Sequence, residues 1–253
     1  MIGEAIKGLL LPFFGTALGA AGVFCVRAGT QARLSAFLNA VAAGVMVAAS
    51  IFSLLLPAFA EAETRGVPAY VPVIGGFFAG VALLGLWDRV SLRLGHTGGV
   101  GHSTRMLVLS VCLHNVPEGM AVGAAYAGLL SGSTTVTALS AFALSLGIAL
   151  QNLPEGAIIS MPLGAQGMGR GRAFFCGVLS GVSEPVAGAL TILLARFAVP
   201  ALPWLLSFAA GAMAYVVGFE LIPQALQERP RHRGMLCVAG GFLLMMLMDV
   251  LLG

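Results

Sequence analysis

Two six-residue segments, His-Asn-Val-Pro-Glu-Gly at positions 114–119 and Gln-Asn-Leu-Pro-Glu-Gly at 151–156, repeat one pattern inside otherwise apolar stretches. A carboxylate in the middle of a membrane helix is expensive, and by default it marks a functional site. Here two arrive in matching contexts, each four residues after a side chain able to ligate a metal or to hydrogen bond. The chain must bring polar turns together inside an apolar bundle, and the pairing points to a cation held within the membrane.

The membrane reading rests on composition. Of 253 residues, 58% are hydrophobic and only 9% charged, whereas soluble domains carry about 25% charged residues. A hydrocarbon core of about 30 Å takes about 20 apolar helical residues. Eight segments qualify, near 9–26, 36–58, 71–86, 106–129, 136–161, 173–196, 202–221 and 235–252. Short connections join them, which predicts an all-α, polytopic membrane bundle of eight transmembrane helices forming a single domain over 1–253. The first segment exceeds the ~7–15 residues of a signal-peptide core. The residues before it set Glu4 against Lys7, so a retained first helix is expected. Small-xxx-small pairs at Gly15/Gly19, Gly76/Gly80 and Gly177/Gly181 mark close helix packing.

Loop charges set the orientation. With the N-terminus outside, Arg27, Arg33, Arg89, Arg93, Arg105, Arg170, Arg172, Arg229, Arg231 and Arg233 all fall on the inside, leaving Lys7, Arg65 and Arg196 outside. The positive-inside rule then places both termini outside the cytoplasm. The net charge of +3 is spread along these loops, so no nucleic-acid partner is expected. Cys25, Cys112, Cys176 and Cys237 stand singly, without a Cys-x-x-Cys pair, and read as buried apolar thiols rather than a disulfide or zinc framework. The longest polar connection, 88–104, holds His96 and His102 among glycines and reads as a flexible linker.

Helical spacing collects the polar residues. His114, Asn115 and Glu118 share a face of segment 4, and Gln151, Asn152 and Glu155 repeat that geometry on segment 5. Segment 6 adds Glu184, followed by Pro185. All three carboxylates fall near mid-bilayer. Pro117 and Pro154 each lack an N–H and crowd the carbonyl four residues back, which predicts kinks beside the ligands. Single residues of this kind also serve as packing glue. Three carboxylates with no neighbouring Lys or Arg favour a cation site. Mixed oxygen and nitrogen donors suit zinc, iron(II), manganese, cobalt or nickel better than copper(I). The spacing permits a binuclear site without establishing one.

The doubled motif with Ser-Glu-Pro at 183–185 resembles the ZIP (Zrt/Irt-like) metal transporters, in particular prokaryotic members of the GufA and ZupT kind, along the whole chain. The resemblance implies a first metal position at His114, Glu118, Gln151 and Glu155. It implies a second at Asn115, Glu118, Asn152, Glu155 and Glu184, with Met46 reaching the first from the outer side. It also implies that helices 1, 4, 5 and 6 move against helices 2, 3, 7 and 8. Gln151 stands where many members have His, and Asn152 where some have Asp. Phe219 precedes Glu220 where related proteins can place a His, so an auxiliary exit-side site would rest mainly on Glu220, which reads equally as a solvated helix cap; Asp88 and Asp249 lie near helix ends and read as interfacial. The expected function is uptake of a divalent transition metal across a prokaryotic cytoplasmic (inner) membrane, with the metal as cargo, no prosthetic group and the lipid bilayer as surroundings. A homodimer is compatible with this. A metal-gated channel, a proton-coupled exporter and an intramembrane metalloenzyme are the competing readings. The last is disfavoured because no His-Glu-x-x-His motif is present.

Overall fold

The computed structural model describes residues 2–25, 28–95, 100–132, 136–165, 167–194, 197, 199–227 and 231–252. Within them, the side chains of 28–36, 91–95, 100–110, 113, 114, 158, 165, 220, 224, 227, 231 and 252 lie outside the description. The described residues are helical apart from short connections, without a strand. In chain order the elements are α1 (Ile2–Ala20), α2 (Gly22–Cys25), α3 (Ala28–Ala48), a π-helical segment (Ala49–Leu55), α4 (Leu56–Thr64), α5 (Tyr70–Gly95) and α6 (Val100–Leu130). They continue with α7 (Ala138–Ala165), α8 (Arg170–Gly181), α9 (Ser183–Leu193), α10 (Leu202–Val216), a second π segment (Val217–Leu221), α11 (Ile222–Gln227) and α12 (Arg231–Leu252).

Seven helical stretches among the described residues are long and apolar enough to cross a membrane: Ile2–Cys25, Phe37–Thr64, Tyr70–Val90, Ala138–Gly164, Arg170–Leu193, Leu202–Phe219 and His232–Leu251. They overlay seven of the eight expected segments. The remaining one, 106–129, falls within the 31 residues of α6, whose early side chains lie outside the description.

Prolines explain the interruptions. Both π segments end just before a proline, Pro57 and Pro223. A proline ring cannot donate and collides with the carbonyl four residues earlier; the wider turn absorbs that collision by shifting the register. The Leu56 N–H accordingly reaches back to Ile51 O, and the Ile222 N–H to Val217 O, five residues in each case. The expected sixth segment is one membrane-length stretch, 170–193, whose hydrogen-bond ladder is interrupted at Val182, between α8 and α9, because Pro185 has no N–H to offer the Gly181 carbonyl; the Val182 backbone itself stays helical (φ −63°, ψ −26°). By contrast α6 and α7 continue through Pro117 and Pro154.

The helices sort into two bundles. In the first, α1 packs on α7, α6 on α9, and α8 against α1, α6 and α7; in the second, α5 packs on α10 and α3 on α12. The bundles meet where α3 and α12 face α7, and where α10 and α5 face α6. The main apolar cluster lies along this seam, joining Val122, Leu144 and Ile148 to Met46, Leu206 and Met213.

Glycines hold each bundle internally. A Cβ on Gly15 would lie 2.1 Å from Ala149 O, and one on Gly19 would lie 1.9 Å from Leu153 O. One on Gly80 would lie 2.1 Å from Phe208 O, and one on Gly241 2.1 Å from Val41 O. Among the described residues, every such backbone-to-backbone approach lies within one bundle. Across the seam, Gly147 meets only the flexible thioether of Met245. All three small-xxx-small pairs are packing contacts, Gly177 and Gly181 resting on Ala20 and Thr16. The thiols are free, but not buried as expected: Cys25 is exposed and the other three are half-buried.

Candidate metal centre

Inside the first bundle, five polar residues lose nearly all contact with solvent. Asn115 and Glu118 on α6, Gln151 and Asn152 on α7 and Glu184 on α9 are each 2% exposed or less. Burying such groups costs several kcal/mol apiece unless each finds a partner (~2–7 for a neutral amide, more for a carboxylate).

Partners exist, but they satisfy only half of each group. Gln151 Nε2 donates to Glu118 Oε1 at 2.5 Å. Asn115 Nδ2 donates to Glu184 Oε1 at 2.8 Å and to the Ser180 carbonyl at 3.3 Å. Asn152 Nδ2 donates to the Pro12 carbonyl at 3.4 Å, and its side chain also approaches the Glu184 carboxylate. Every N–H₂ is thus turned toward the protein. What remains is a set of acceptors: Asn115 Oδ1, Glu118 Oε2, Gln151 Oε1, Asn152 Oδ1 and Glu184 Oε2 are buried with no hydrogen-bond donor among the described residues.

Half-buried Glu155 ties the two halves together, lying within electrostatic reach of both Glu118 and Glu184. Among the described residues neither Glu118 nor Glu184 forms an ion pair with a Lys or Arg. Negatively charged carboxylates whose second oxygens, with three amide oxygens, have no donor among the described residues are chemically suited to a cation. Carboxylate and amide oxygens favour a hard or borderline divalent ion.

The glycine that ends each hexad makes the cluster possible. A Cβ on Gly119 would lie 2.2 Å from the Glu184 carbonyl oxygen, and one on Gly156 would lie 1.9 Å from the Thr16 carbonyl oxygen. The bare glycines bring α9 against α6 and α1 against α7 at the depth of the carboxylates. Glu184 itself sits in the first turn of α9, two residues after the interruption at Val182.

The structure brings together Asn115, Glu118, Gln151, Asn152, Glu155 and Glu184. The side chains of His114 and Glu220 lie outside the described residues, as does that of His102 and the whole of His96. Among the described residues no three His, Cys, Asp or Glu side chains form a metal-holding group; the cluster is built jointly from carboxylates and carboxamides. Met46 is buried in the seam cluster. Asp88 accepts from Tyr215 Oη at 2.7 Å, and Asp249 accepts from Ser53 Oγ at 2.8 Å. Asp249 and Ser53 line a cavity of about 160 Å³ with Thr137, Ser140, Ala125 and Leu144. Ala125 is seven residues from Glu118, and Leu144 seven from Gln151, so the cavity lies about two helical turns, ~10 Å, from the cluster.

Sequence reasoning missed the part played by α1. Thr16 Oγ1 donates to Glu184 Oε1 at 3.0 Å, and the Pro12 carbonyl receives Asn152. The available signal was a lone hydroxyl set between Gly15 and Gly19 on a close-packed helix face.

The family model described as ZIP Zinc transporter matches residues 91–249, which include every candidate ligand on α6, α7 and α9. Zinc transporter ZIPB of Bordetella bronchiseptica is 35% identical over 265 aligned positions, covering 100% of this chain and 82% of that protein. Zinc transporter ZIP11 of Homo sapiens is 32% identical, covering 99% of this chain and 97% of its own. Zinc transporter GufA of Myxococcus xanthus is 32% identical, covering 80% and 81%. Family and relatives alike are described as transporters rather than enzymes. An all-helical chain with spans of membrane length, a buried oxygen cluster on its doubled motif and these relatives along its length belongs to the ZIP zinc transporter family.

Proposed function

We propose that this chain takes up zinc or a similar divalent transition metal, moving it into the cytoplasm through the buried cluster of α6, α7 and α9. The observation that carries the reading is the set of five buried oxygens without a donor among the described residues, on the doubled motif and its α9 partner. The first metal position comprises His114, Glu118, Gln151 and Glu155, with Met46 approaching from the outer side. The second comprises Asn115, Glu118, Asn152, Glu155 and Glu184. Glu118 and Glu155 bridge the two.

The chain sits in a cytoplasmic membrane with eight spans, α6 supplying the fourth, and with both termini outside. In that orientation the cavity beside Asp249 opens outward, two turns above the cluster. An arriving ion exchanges hydration water for carboxylate and amide oxygens that are already desolvated and oriented, so little reorganisation accompanies binding. Access alternates when the first bundle, carrying the whole oxygen cluster, moves against the second. Supporting this is the contrast between glycine-to-backbone contacts inside each bundle and side-chain packing between them.

The test is metal uptake into proteoliposomes of known orientation, with zinc, manganese and iron(II) supplied singly. Zinc accumulation from the face bearing the termini is expected, and its loss in Glu118→Ala. Absence of flux for every metal in folded protein would overturn the reading; flux only in the opposite direction would overturn uptake while leaving the site.

A further inference from the structure

α1 contributes none of the proposed ligands, yet two of its polar groups, one turn apart, reach two of them. Thr16 is fully buried, and its hydroxyl donates to Glu184 Oε1 at 3.0 Å. The same oxygen accepts from Asn115 Nδ2 at 2.8 Å. Two donors from two helices therefore converge on one carboxylate oxygen, while Oε2 of the same group has no donor among the described residues. A carboxylate held in this way cannot rotate to exchange its oxygens without breaking both charge-assisted bonds. The hydroxyl has one proton to give. Its other acceptor, the Pro12 carbonyl, stands at 3.5 Å and already receives Asn152.

We propose that Thr16 is a positioning residue for the metal centre: with Asn115 it fixes Oε1 of Glu184, so that Oε2 is presented to the cation. The Pro12 carbonyl acts in parallel on Asn152, drawing the N–H₂ toward α1 and leaving Oδ1 for the ion. α1 thereby sets the donor geometry of the second metal position from outside the ligand set. This inference rests on the assignment of Glu184 as a ligand in the proposed function. It adds that ligand strength there depends on a hydroxyl that never touches the metal.

Packing around Thr16 allows a clean test. A Cβ on Gly181 would lie 2.9 Å from Thr16 Cβ, so the shape of this side chain is closely fitted. Thr16→Val keeps that shape and removes the hydroxyl; Thr16→Ala removes both and introduces no crowding; Thr16→Ser keeps the hydroxyl. Zinc binding to the purified full-length protein is measured by calorimetry, alongside Glu184→Gln and the double variant Thr16→Val/Glu184→Gln. Partners that orient a metal ligand are worth about 10–100-fold in affinity. Thr16→Val and Thr16→Ala should weaken the Glu184-dependent binding step by about tenfold or more. Thr16→Ser should restore it, and Thr16→Val should add nothing once Glu184 is Gln. Parental binding by both Thr16→Val and Thr16→Ala, with Glu184→Gln impaired, would overturn the role of Thr16 alone. Equal damage from Thr16→Val in the Glu184→Gln background would also overturn it, because the effect would then run through packing. Parental binding by Glu184→Gln would instead remove the ligand assignment beneath it.

Discussion

Gly156→Ala adds a single methyl group at one of the two tightest points of the site-bearing bundle. Its Cβ would lie 1.9 Å from the Thr16 carbonyl oxygen and 2.7 Å from the Ala20 nitrogen. Both are backbone atoms of α1, so neither can rotate aside. Real Cβ contacts stay beyond 3.0 Å, so α7 and α1 must separate by about 1.1 Å, a displacement that a close-packed interior transmits rather than absorbs. Overpacking of this kind costs about 1–3 kcal/mol, and the gain of Ala over Gly in a helix interior returns about 1 kcal/mol. The variant should therefore fold and reach the membrane. Its flux should not survive, because Glu155 is the adjacent residue, Asn152 lies one turn away and Thr16 is the group displaced. A misplacement of about 1 Å at such a constellation costs on the order of 100-fold. The assay is zinc uptake into proteoliposomes, normalised to folded protein by size-exclusion elution. Gly171→Ala on α8, where a Cβ meets nothing within 4 Å, is the control and should transport as the parent does. Parental flux in Gly156→Ala would refute the argument that backbone approach at this glycine sets the site.

Three further outcomes are expected. Glu118→Ala and Glu155→Ala should each lower uptake by at least about 100-fold, the upper end of what loss of an orienting partner alone costs, whereas Asn152→Ala should retain substantial uptake; uptake rates at saturating zinc decide this, and the reverse order would refute bridging by the glutamates. Gln151→His replaces an amide oxygen by a softer nitrogen and should shift zinc-over-manganese preference by about tenfold, ~1.4 kcal/mol, read by competition binding at fixed pH because imidazole must be neutral to ligate. Exposed Cys25, at the end of the first span, should react with a membrane-impermeant thiol reagent from the cytoplasmic face only, and labelling from outside would reverse the proposed orientation.

Much of this architecture was legible because membrane segments announce themselves by length and polarity. Seven expected segments coincide with helices of membrane length, and the hexads marked the helices that carry the buried oxygens. Helical periodicity placed Glu118 beside Asn115 and Glu155 beside Gln151 and Asn152. Periodicity describes one helix at a time, however, and the decisive contacts are between helices. Nothing in the spacing reveals that Asn115 turns its amide to Glu184, or that Gln151 turns its own to Glu118. Thr16 escaped for the same reason, since a hydroxyl in an apolar stretch ordinarily bonds its own helix. The prolines were legible as sites of a missing bond, but not in how each is accommodated. Pro185 interrupts the hydrogen-bond ladder at Val182, Pro57 and Pro223 lie just beyond π segments, and Pro117 and Pro154 sit within continuous helices. A proline states that a hydrogen bond is missing; neighbouring helices decide how the backbone responds.

The distribution of glycine contacts sorts the effects of mutation into two kinetic classes. Within the first bundle, a change at Gly119, Gly156 or Gly181 alters the relative placement of the proposed ligands, so it should appear in the half-saturating metal concentration as well as in the maximal rate. Along the seam the resistance is a flexible side chain, as where Gly147 faces Met245. On the proposed alternation of the two bundles, a change there leaves the oxygens where they are and alters only the friction between the moving bodies, so it should scale the maximal rate with binding unchanged. Affinity for the cargo and speed of turnover would then rest on separate sets of residues, and either would drift without the other.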